Sequence, residues 1–261
     1  MTLDSAQLAI IVPAFIAGLL VTATHVPLGM QVLARGIVFI DLAVAQTAGL
    51  GVIIADSIGF EPQGIAVQVA ALAAALAAAL AMTWSERRWP GFQEAIIGSV
   101  FVLAASAAIL LLARNPHGGE HLSQLLVGQI LWVSTAWLPW VGIVYAAILA
   151  LWFGAGKRLG RTGFYALFAV AVTISVQLVG LYLVFATLII PALATRVMGR
   201  TRLGAAYAIG ALGYLGGLVL SVWWDLPPGA LIPWTMAAVG VALGMIVPRS
   251  GRRSDGALNA D

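Results

Sequence analysis

The chain contains about nine apolar segments, each roughly long enough to cross a lipid bilayer as a helix. Irregular backbone exposed to lipid is not tolerated inside a bilayer, so such segments must form helices. The segments run over 8–28, 36–55, 64–83, 95–113, 128–153, 164–180, 181–195, 205–224 and 229–247. We therefore expect an all-α, polytopic integral membrane protein with eight or nine transmembrane helices.

The composition supports one membrane domain and leaves no room for a second, globular one. The 261 residues are 62% hydrophobic and only 9% charged, whereas soluble domains average about 25% charged residues. We expect a transmembrane permease-like domain over 1–248 and a disordered polar tail over 249–261. Nothing resembling the basic start of a signal peptide precedes the first span, which is expected to be retained. The absence of cysteine excludes disulfides and thiolate metal sites.

The segments 164–180 and 181–195 are short and nearly continuous. Gly180 lies where they join and Pro191 lies near the end of the second. Both residue types weaken a regular helix, and proline also removes a backbone donor. We expect one broken or re-entrant helix near 180–195, with Gly180 and Pro191 at the breaks. An ordinary proline kink is the alternative.

Positive charges collect in alternate loops between the apolar segments. These loops hold 12 of the 13 lysine and arginine residues, and the other set holds Arg114: the 12 are Arg35, Arg87, Arg88, Lys157, Arg158, Arg161, Arg196, Arg200, Arg202, Arg249, Arg252 and Arg253. The positive-inside rule places these loops in the cytoplasm, together with the C-terminus. The N-terminus is then outside if there are nine crossings. The net charge of +3 thus indicates topology rather than a nucleic-acid partner.

Asp41 lies within an apolar stretch long enough to span a bilayer, residues 35–49. An ionised side chain at the bilayer centre costs about 2.5–3.5 kcal/mol on insertion scales. Such residues usually face a bundle interior or a wet cavity, and they often mark an ion path. We interpret Asp41 as a pathway residue. The alternative is a buried aspartate bonded to a neighbouring helix.

Other polar residues are weaker candidates for contact with a cation. His117, Glu120 and His121 cluster in a loop predicted to be extracytoplasmic, and imidazole with carboxylate suits borderline divalent metals. This group could receive metal at an outer mouth, or it could be a solvated loop. Gln46 and Gln177 could line the path, although interhelical bonding is the commoner use of a lone glutamine. His25 is interpreted as a hydrogen-bonded residue at a helix end rather than a ligand.

Small residues recur in the last two spans as Gly213-x-x-x-Gly217 and Gly240-x-x-x-Gly244. Such spacing lets helix backbones approach closely. Contact between helices of one chain is the favoured interpretation, and a subunit interface is the alternative.

Four stretches resemble the zinc/manganese/iron-type permeases of ATP-binding-cassette transporters. The run VGLYLVFATLIIPALATR (179–196) is similar to a signature of that family. LGMQVLARGIVFIDLAVAQTAGLG (28–51), FQEAIIGSVF (92–101) and GGEHLSQLLVGQIL (118–131) resemble further family segments. The four stretches follow one another in the family's order and span most of the chain.

The resemblance implies a permease subunit that forms a homodimer in the cell (inner) membrane, surrounded by lipid. Its substrate would be a divalent metal ion, with no permanently bound cofactor. A cytoplasmic ATP-binding subunit would drive it, and an extracytoplasmic metal-binding protein would deliver the metal. The basic stretch with Arg196, Arg200 and Arg202 would contact the ATPase. The chain itself is not expected to be an enzyme, because Gly154–Arg158 lacks the spacing of a phosphate-binding loop.

One departure from the family limits the predicted site. Members often carry a histidine four residues after the aspartate, and here that position is Ala45. Gln46 follows, but five residues advance a helix about 140° beyond a full turn, so it does not simply replace the missing ligand. Three roles remain open for Asp41: a transient ligand alone, one of a pair across the dimer, or a gating contact.

Three other functions are alternatives to metal import. A permease for iron chelates or cobalamin would share related spans but typically has a longer chain. A passive channel would not explain a long basic stretch after a broken helix. An intramembrane enzyme would need a nucleophile with a base, or a closed metal triad, and Asp41 has no obvious histidine or second aspartate in a neighbouring span. Zinc, manganese and iron are not ranked by this sequence, because no complete ligand set is visible.

Overall fold

The computed structural model describes residues 5–61, 64–112, 128 and 130–246. All regular structure in those ranges is helical, which confirms the predicted all-α class. The helices are α1 (Ser5–Arg35), α2 (Ile40–Ser57), α3 (Ile65–Arg88), α4 (Gln93–Leu112), α5 (Leu138–Val179), α6 (Leu181–Ala194), α7 (Arg202–Trp224) and α8 (Pro228–Ile246). Single 3₁₀ turns lie at Pro90–Phe92 and Ile130–Trp132. The predicted tail over 249–261 lies outside the described residues.

Eight helical stretches in the described ranges are long and apolar enough to cross a membrane. They include both arms of α5, which bends at Gly160 because that residue leaves helical geometry. The remaining helix, α6, has 14 residues and is therefore about 21 Å long at 1.5 Å per residue. That length is short of the roughly 30 Å hydrocarbon core. The expected count of eight or nine spans, with an interruption near 180, is confirmed.

The first helix runs well beyond its predicted end at residue 28. It continues through Pro27 to Arg35, although proline cannot donate to the carbonyl four residues earlier. That carbonyl belongs to Ala23, and the Tyr207 hydroxyl of α7 donates to it over 3.0 Å. Membrane helices tolerate proline where a neighbouring helix satisfies the freed group in this way. His25 was expected at the end of the first helix, but it lies inside α1.

Glycines in α7 and α8 allow these helices to pack closely against their neighbours. A Cβ added at Gly213 would lie 2.7 Å from Met236 Cβ, and one at Gly217 would lie 2.6 Å from Ile232 Cα. Both partners belong to α8 of the same chain. The Gly213/Gly217 pair is thus used for packing within the chain, which confirms the favoured interpretation. Gly240 of α8 faces Ala194 of α6 in the same manner, at 3.1 Å.

Three predicted basic loops meet at one end of the bundle. The Arg35 guanidinium at the end of α1 lies 4.2 Å from the centre of the Phe164 ring in α5. Arg161, next to the α5 bend, forms a 3.6 Å ion pair with Glu86 at the end of α3. The neighbouring Arg87 donates to the Thr162 hydroxyl over 3.3 Å. This clustering on one side is what the positive-inside rule requires of cytoplasmic loops.

Candidate functional site

Asp41 is fully buried by the surrounding protein, with 0% of its surface exposed. Its Oδ1 accepts a hydrogen bond from the Leu42 backbone N–H over 2.8 Å. Its Oδ2 is also buried, and none of the described residues offers it a hydrogen bond. One of the two carboxylate oxygens is therefore unsatisfied, and leaving a buried acceptor unpaired costs about 1–3 kcal/mol or more. The burial of Asp41 agrees with the expectation that surrounding helices shelter it.

The expected span over 36–55 makes Asp41 its sixth residue, whereas in the structure Asp41 is the second residue of α2. The helix α1 ends in a glycine cap: Gly36 has a φ of 69°, and the Gly36 and Ile37 N–H groups bond back to Leu33 O and Val32 O over 3.3 Å each. This cap turns the chain, so α2 begins only at Ile40. Asp41 thus lies in the first turn of α2, at the same end as Arg35. A carboxylate there is favoured by the helix dipole.

The electrostatics of Asp41 are those of an acid at a helix start, and they allow two uses. It can satisfy one N–H of the first turn, as Oδ1 does, and it can offer Oδ2 to a cation. No group of three histidine, aspartate or glutamate side chains comes together among the described residues. One chain therefore presents Asp41 as a single acidic ligand, with no complete metal cage in the part of the chain described.

Gln46 lies near the break at Gly180. It is half-buried and lines a narrow cleft of about 10 Å³ together with Gly49, Val176 and Leu181. That volume is close to the space that one water molecule needs. The structure thus brings Gln46 of α2 beside the α5–α6 junction. Asp41 does not line this cleft, and Gln177 is instead exposed on the outer surface of the chain.

Gly180 separates α5 from α6, as predicted, with φ 87° and ψ 162°. The break keeps its backbone bonded: the Gly180 N–H donates to Val176 O over 2.8 Å, and the Val184 N–H donates to Gly180 O over 3.1 Å. Irregular backbone at membrane depth has to be satisfied internally in this way. The junction is therefore a turn in which both backbone groups of Gly180 are hydrogen-bonded within the chain.

The second predicted break, at Pro191, is wrong. The helix α6 runs through Pro191 to Ala194. Helical bonding resumes directly, because Pro191 O accepts from the Thr195 N–H over 3.2 Å and from the Thr195 hydroxyl over 2.7 Å. Pro191 removes only its own N–H, the donor to the carbonyl four residues earlier, and the helix continues on either side of that one missing bond.

A compact basic turn connects α6 to α7. Arg196 and Arg200 are exposed, and Arg202, the first residue of α7, is half-buried. The turn is fixed by backbone bonds from Met198 N–H to Thr195 O (3.0 Å) and from Arg202 N–H to Gly199 O (3.2 Å). The predicted basic cluster thus presents the exposed guanidinium groups of Arg196 and Arg200 on a short connection whose backbone is hydrogen-bonded.

The remaining predicted ligands divide into described and undescribed residues. His117, Glu120 and His121 lie outside the described residues, so the outer-mouth prediction stays a prediction. His25 is fully buried, and its Nδ1 lies 3.1 Å from both Val21 O and Thr24 Oγ1. The interpretation of His25 as a hydrogen-bonded helix residue agrees with this geometry.

Two features escaped the sequence analysis. The Thr187 and Tyr214 hydroxyls form a 2.9 Å hydrogen bond between α6 and α7, and both side chains are fully buried. The bend of α5 at Gly160 lies where the apolar segments predict a loop. The signal for it in the sequence is a glycine between Arg158 and Arg161, in a charged segment that separates two apolar runs.

Comparison with known proteins assigns the chain to a family. The profile described as the ABC 3 transport family matches residues 7–162 and 154–247. The chain belongs to the ABC 3 transport family. It is accordingly a membrane-spanning transport subunit, which agrees with the helices of the fold and with the expectation that it is not the ATP-hydrolysing component.

Individual relatives of this ABC 3 family member are distant but extensive. The "High-affinity zinc uptake system membrane protein ZnuB" of Haemophilus influenzae is 24% identical over 242 residues, covering 84% of this chain and 91% of the relative. Among solved structures, PsaBC from Streptococcus pneumoniae in complex with Fab matches with a TM-score of 0.73 and 21% identity, over 91% of each chain. An inward-facing transporter assigned to the metal-chelate ABC type matches with a TM-score of 0.66 and 17% identity, over 93% and 88% of the two chains. At these identities, the structural matches establish a shared fold.

Proposed function

We propose that the chain is the permease subunit of an ATP-driven importer of divalent metal ions, with zinc, manganese and iron as the candidate substrates. The observation that carries the proposal is Asp41, a fully buried carboxylate whose Oδ2 has no partner among the described residues. Family membership and the zinc-uptake name of the Haemophilus relative support a cationic substrate. Intramembrane acids of this kind commonly mark ion paths.

Asp41 would act by replacing water in the hydration shell of the passing cation with one carboxylate oxygen. Oδ1 stays bonded to the Leu42 N–H over 2.8 Å, which fixes the carboxylate while Oδ2 faces the ion. A single ligand binds weakly, which suits conduction because the ion must leave as well as enter. Further ligands at Asp41 would come from the second chain of a homodimer, whereas His117, Glu120 and His121 would receive the ion at the outer mouth.

The basic end of the bundle would face the cytoplasm of the inner membrane, with the C-terminus on that side. A cytoplasmic ATP-binding subunit would contact the exposed Arg196 and Arg200 and the half-buried Arg202. The short backbone-bonded turn that carries these arginines could transmit its displacement to α6 and α7, because it is fixed to both. An extracytoplasmic metal-binding protein would deliver the ion at the opposite end.

Metal accumulation in cells lacking the gene tests the proposal. Complementation with Asp41→Ala should reduce accumulation of one divalent metal at least about tenfold, because losing even a partner of a metal ligand typically costs about 10–100-fold. Asp41→Asn keeps an oxygen for the Leu42 N–H but removes the charge, so it should also fail to restore uptake. Asp56→Asn makes the same change near the other end of α2 and should restore it. Normal uptake with Asp41→Asn would remove Asp41 from the mechanism.

A chelate permease is the second candidate, because a metal-chelate type transporter shares the fold at a TM-score of 0.66. The same cells separate the two functions. Accumulation of free zinc, manganese or ferrous ion that depends on the gene supports the proposal. Accumulation of a ferric chelate or cobalamin, with no response to free metal, would favour the alternative.

A further inference from the structure

A cavity of about 670 Å³ lies where α5 bends, beside the end of α1. Its size falls within the roughly 300–1,000 Å³ range of small-ligand sites. Gln31 and Arg35 of α1 line one wall, and Trp152, Phe153 and Arg158 of α5 line the other. None of these residues belongs to the Asp41 site or to the basic turn before α7.

The described residues that line this cavity include two arginines and no carboxylate. The ion pair at this end of the described bundle is Arg161–Glu86, so Arg35 and Arg158 are not neutralised by it. The Arg35 Nη1 is buried and finds no hydrogen-bond acceptor among the described residues. A guanidinium offers planar paired donors that match phosphate oxygens, and two such groups flank one cavity here.

Arg35 is held in place before any ligand arrives. Its guanidinium carbon lies 4.2 Å from the centre of the Phe164 ring. Phe164 is itself fixed between Trp152, at 5.8 Å, and Phe168, at 5.7 Å between ring centres. A pre-positioned side chain loses less conformational entropy on binding, which favours affinity.

The outer rim of the cavity is apolar. Phe153 is 61% exposed, and Trp152 beside it is half-buried. Tryptophan is enriched where a membrane meets water, and Phe153 adds exposed apolar surface beside it. A cationic wall next to an apolar rim fits a molecule with a phosphate on one side and hydrocarbon on the other. Inorganic phosphate would leave the apolar rim unused.

We propose that this cavity binds the headgroup phosphate of an anionic phospholipid, with Arg35 and Arg158 as its phosphate ligands. Trp152 and Phe153 then contact the glycerol and the first part of the acyl chains. Basic pockets between transmembrane helices on the cytoplasmic side are a recognised setting for anionic lipid headgroups. The site does not depend on which substrate the protein transports.

Lipid binding to the purified full-length chain tests the proposal. The protein is placed in nanodiscs of phosphatidylcholine, alone or mixed with phosphatidylglycerol, and retained lipid is measured by native mass spectrometry after release. We expect selective retention of phosphatidylglycerol. Arg158→Gln should weaken phosphatidylglycerol retention about fivefold, because it removes one cation that attracts the anionic headgroup. Adding Arg35→Gln removes a second cation and should weaken retention about thirtyfold in total.

Arg88→Gln is the matched control, because Arg88 is exposed at the same end of the bundle but does not line the cavity. It should leave retention unchanged. If Arg35→Gln fails to fold, Arg158→Gln decides alone, since Arg158 is exposed. Three results would each overturn the proposal. They are an equal loss of phosphatidylglycerol retention with Arg158→Gln and Arg88→Gln, no preference for phosphatidylglycerol over phosphatidylcholine, and displacement of the lipid by inorganic phosphate at a concentration similar to that of the lipid.

Discussion

The two glycine breaks around the second arm of α5 have similar backbone geometry but opposite surroundings. Gly160 has φ 60° and ψ −159°, and Gly180 has φ 87° and ψ 162°. Both lie in a region that is essentially closed to other residues. Gly160 is exposed and Gly180 is buried. One backbone conformation thus forms an open bend, meaning an exposed one, at Gly160, and an internal seal, meaning a break buried in the protein, at Gly180.

The difference lies in what holds each break. Around Gly160, polar side chains tie the bend to α3, through the Arg161–Glu86 ion pair and the Arg87–Thr162 hydrogen bond. Around Gly180, backbone packs on backbone: a Cβ at Gly128 would overlap Val179 O and lie 2.6 Å from Gly180 N. A buried break must exclude lipid and satisfy its own polar groups, whereas an exposed one can leave them to water and side chains.

The largest expected effect comes from Gly128→Ala. Gly128 has a φ of 71°, and its missing Cβ leaves room for the α5–α6 junction. An added methyl group would combine backbone strain of about 1–3 kcal/mol with overpacking of about 1–3 kcal/mol. Thermal unfolding in detergent should show a loss of several kcal/mol. Gly98→Ala in α4, where a Cβ meets nothing within 4 Å, should be neutral or slightly stabilising.

A smaller effect is expected when the two breaks are compared directly. Gly180→Ala should cost about 1–3 kcal/mol, because its buried setting prevents relaxation. Gly160→Ala should cost less, since nothing lies within 4 Å of the added Cβ and an exposed bend can adjust. Equal losses in thermal unfolding would contradict the distinction between an internal seal and an open bend.

The smallest effect should follow Arg161→Gln. The Arg161 and Glu86 side chains are 55% and 19% exposed, and pairs near the surface contribute about 0–1 kcal/mol. Unfolding should therefore shift by less than about 1 kcal/mol, with the residual shift reduced by salt. A larger, salt-independent loss would mean that the polar ties at Gly160 are as essential as the backbone packing at Gly180.

Hydropathy predicted the helices well, because backbone in a membrane has to satisfy its own hydrogen bonds and so leaves few choices. The end of α1 was missed for a long-range reason: Tyr207, 184 residues from Ala23 in sequence, supplies the bond that lets the helix pass Pro27. Pro191 was missed for a local reason: the Thr195 N–H and hydroxyl both donate to its carbonyl, so the helix end stays bonded.

The candidate site was predictable in chemistry but not in position. An acid in an apolar stretch indicated shelter by other helices, and Asp41 is fully buried. Its depth depended on where α2 begins, which the Gly36 cap determines and hydropathy does not register. The arginine cavity could not be foreseen, because Arg35 and Arg158 come together only through the bend of α5.

The central claim is that a cation contacts the Asp41 carboxylate during transport. The direct measurement is the initial rate of ATP-driven metal uptake into proteoliposomes containing the chain and its ATP-binding subunit. Asp41→Asn should lower that rate about tenfold or more while leaving thermal unfolding and ATPase assembly intact, and Asp56→Asn should match the unsubstituted protein. Uptake by Asp41→Asn at the unsubstituted rate would show that Asp41 only stabilises the start of α2.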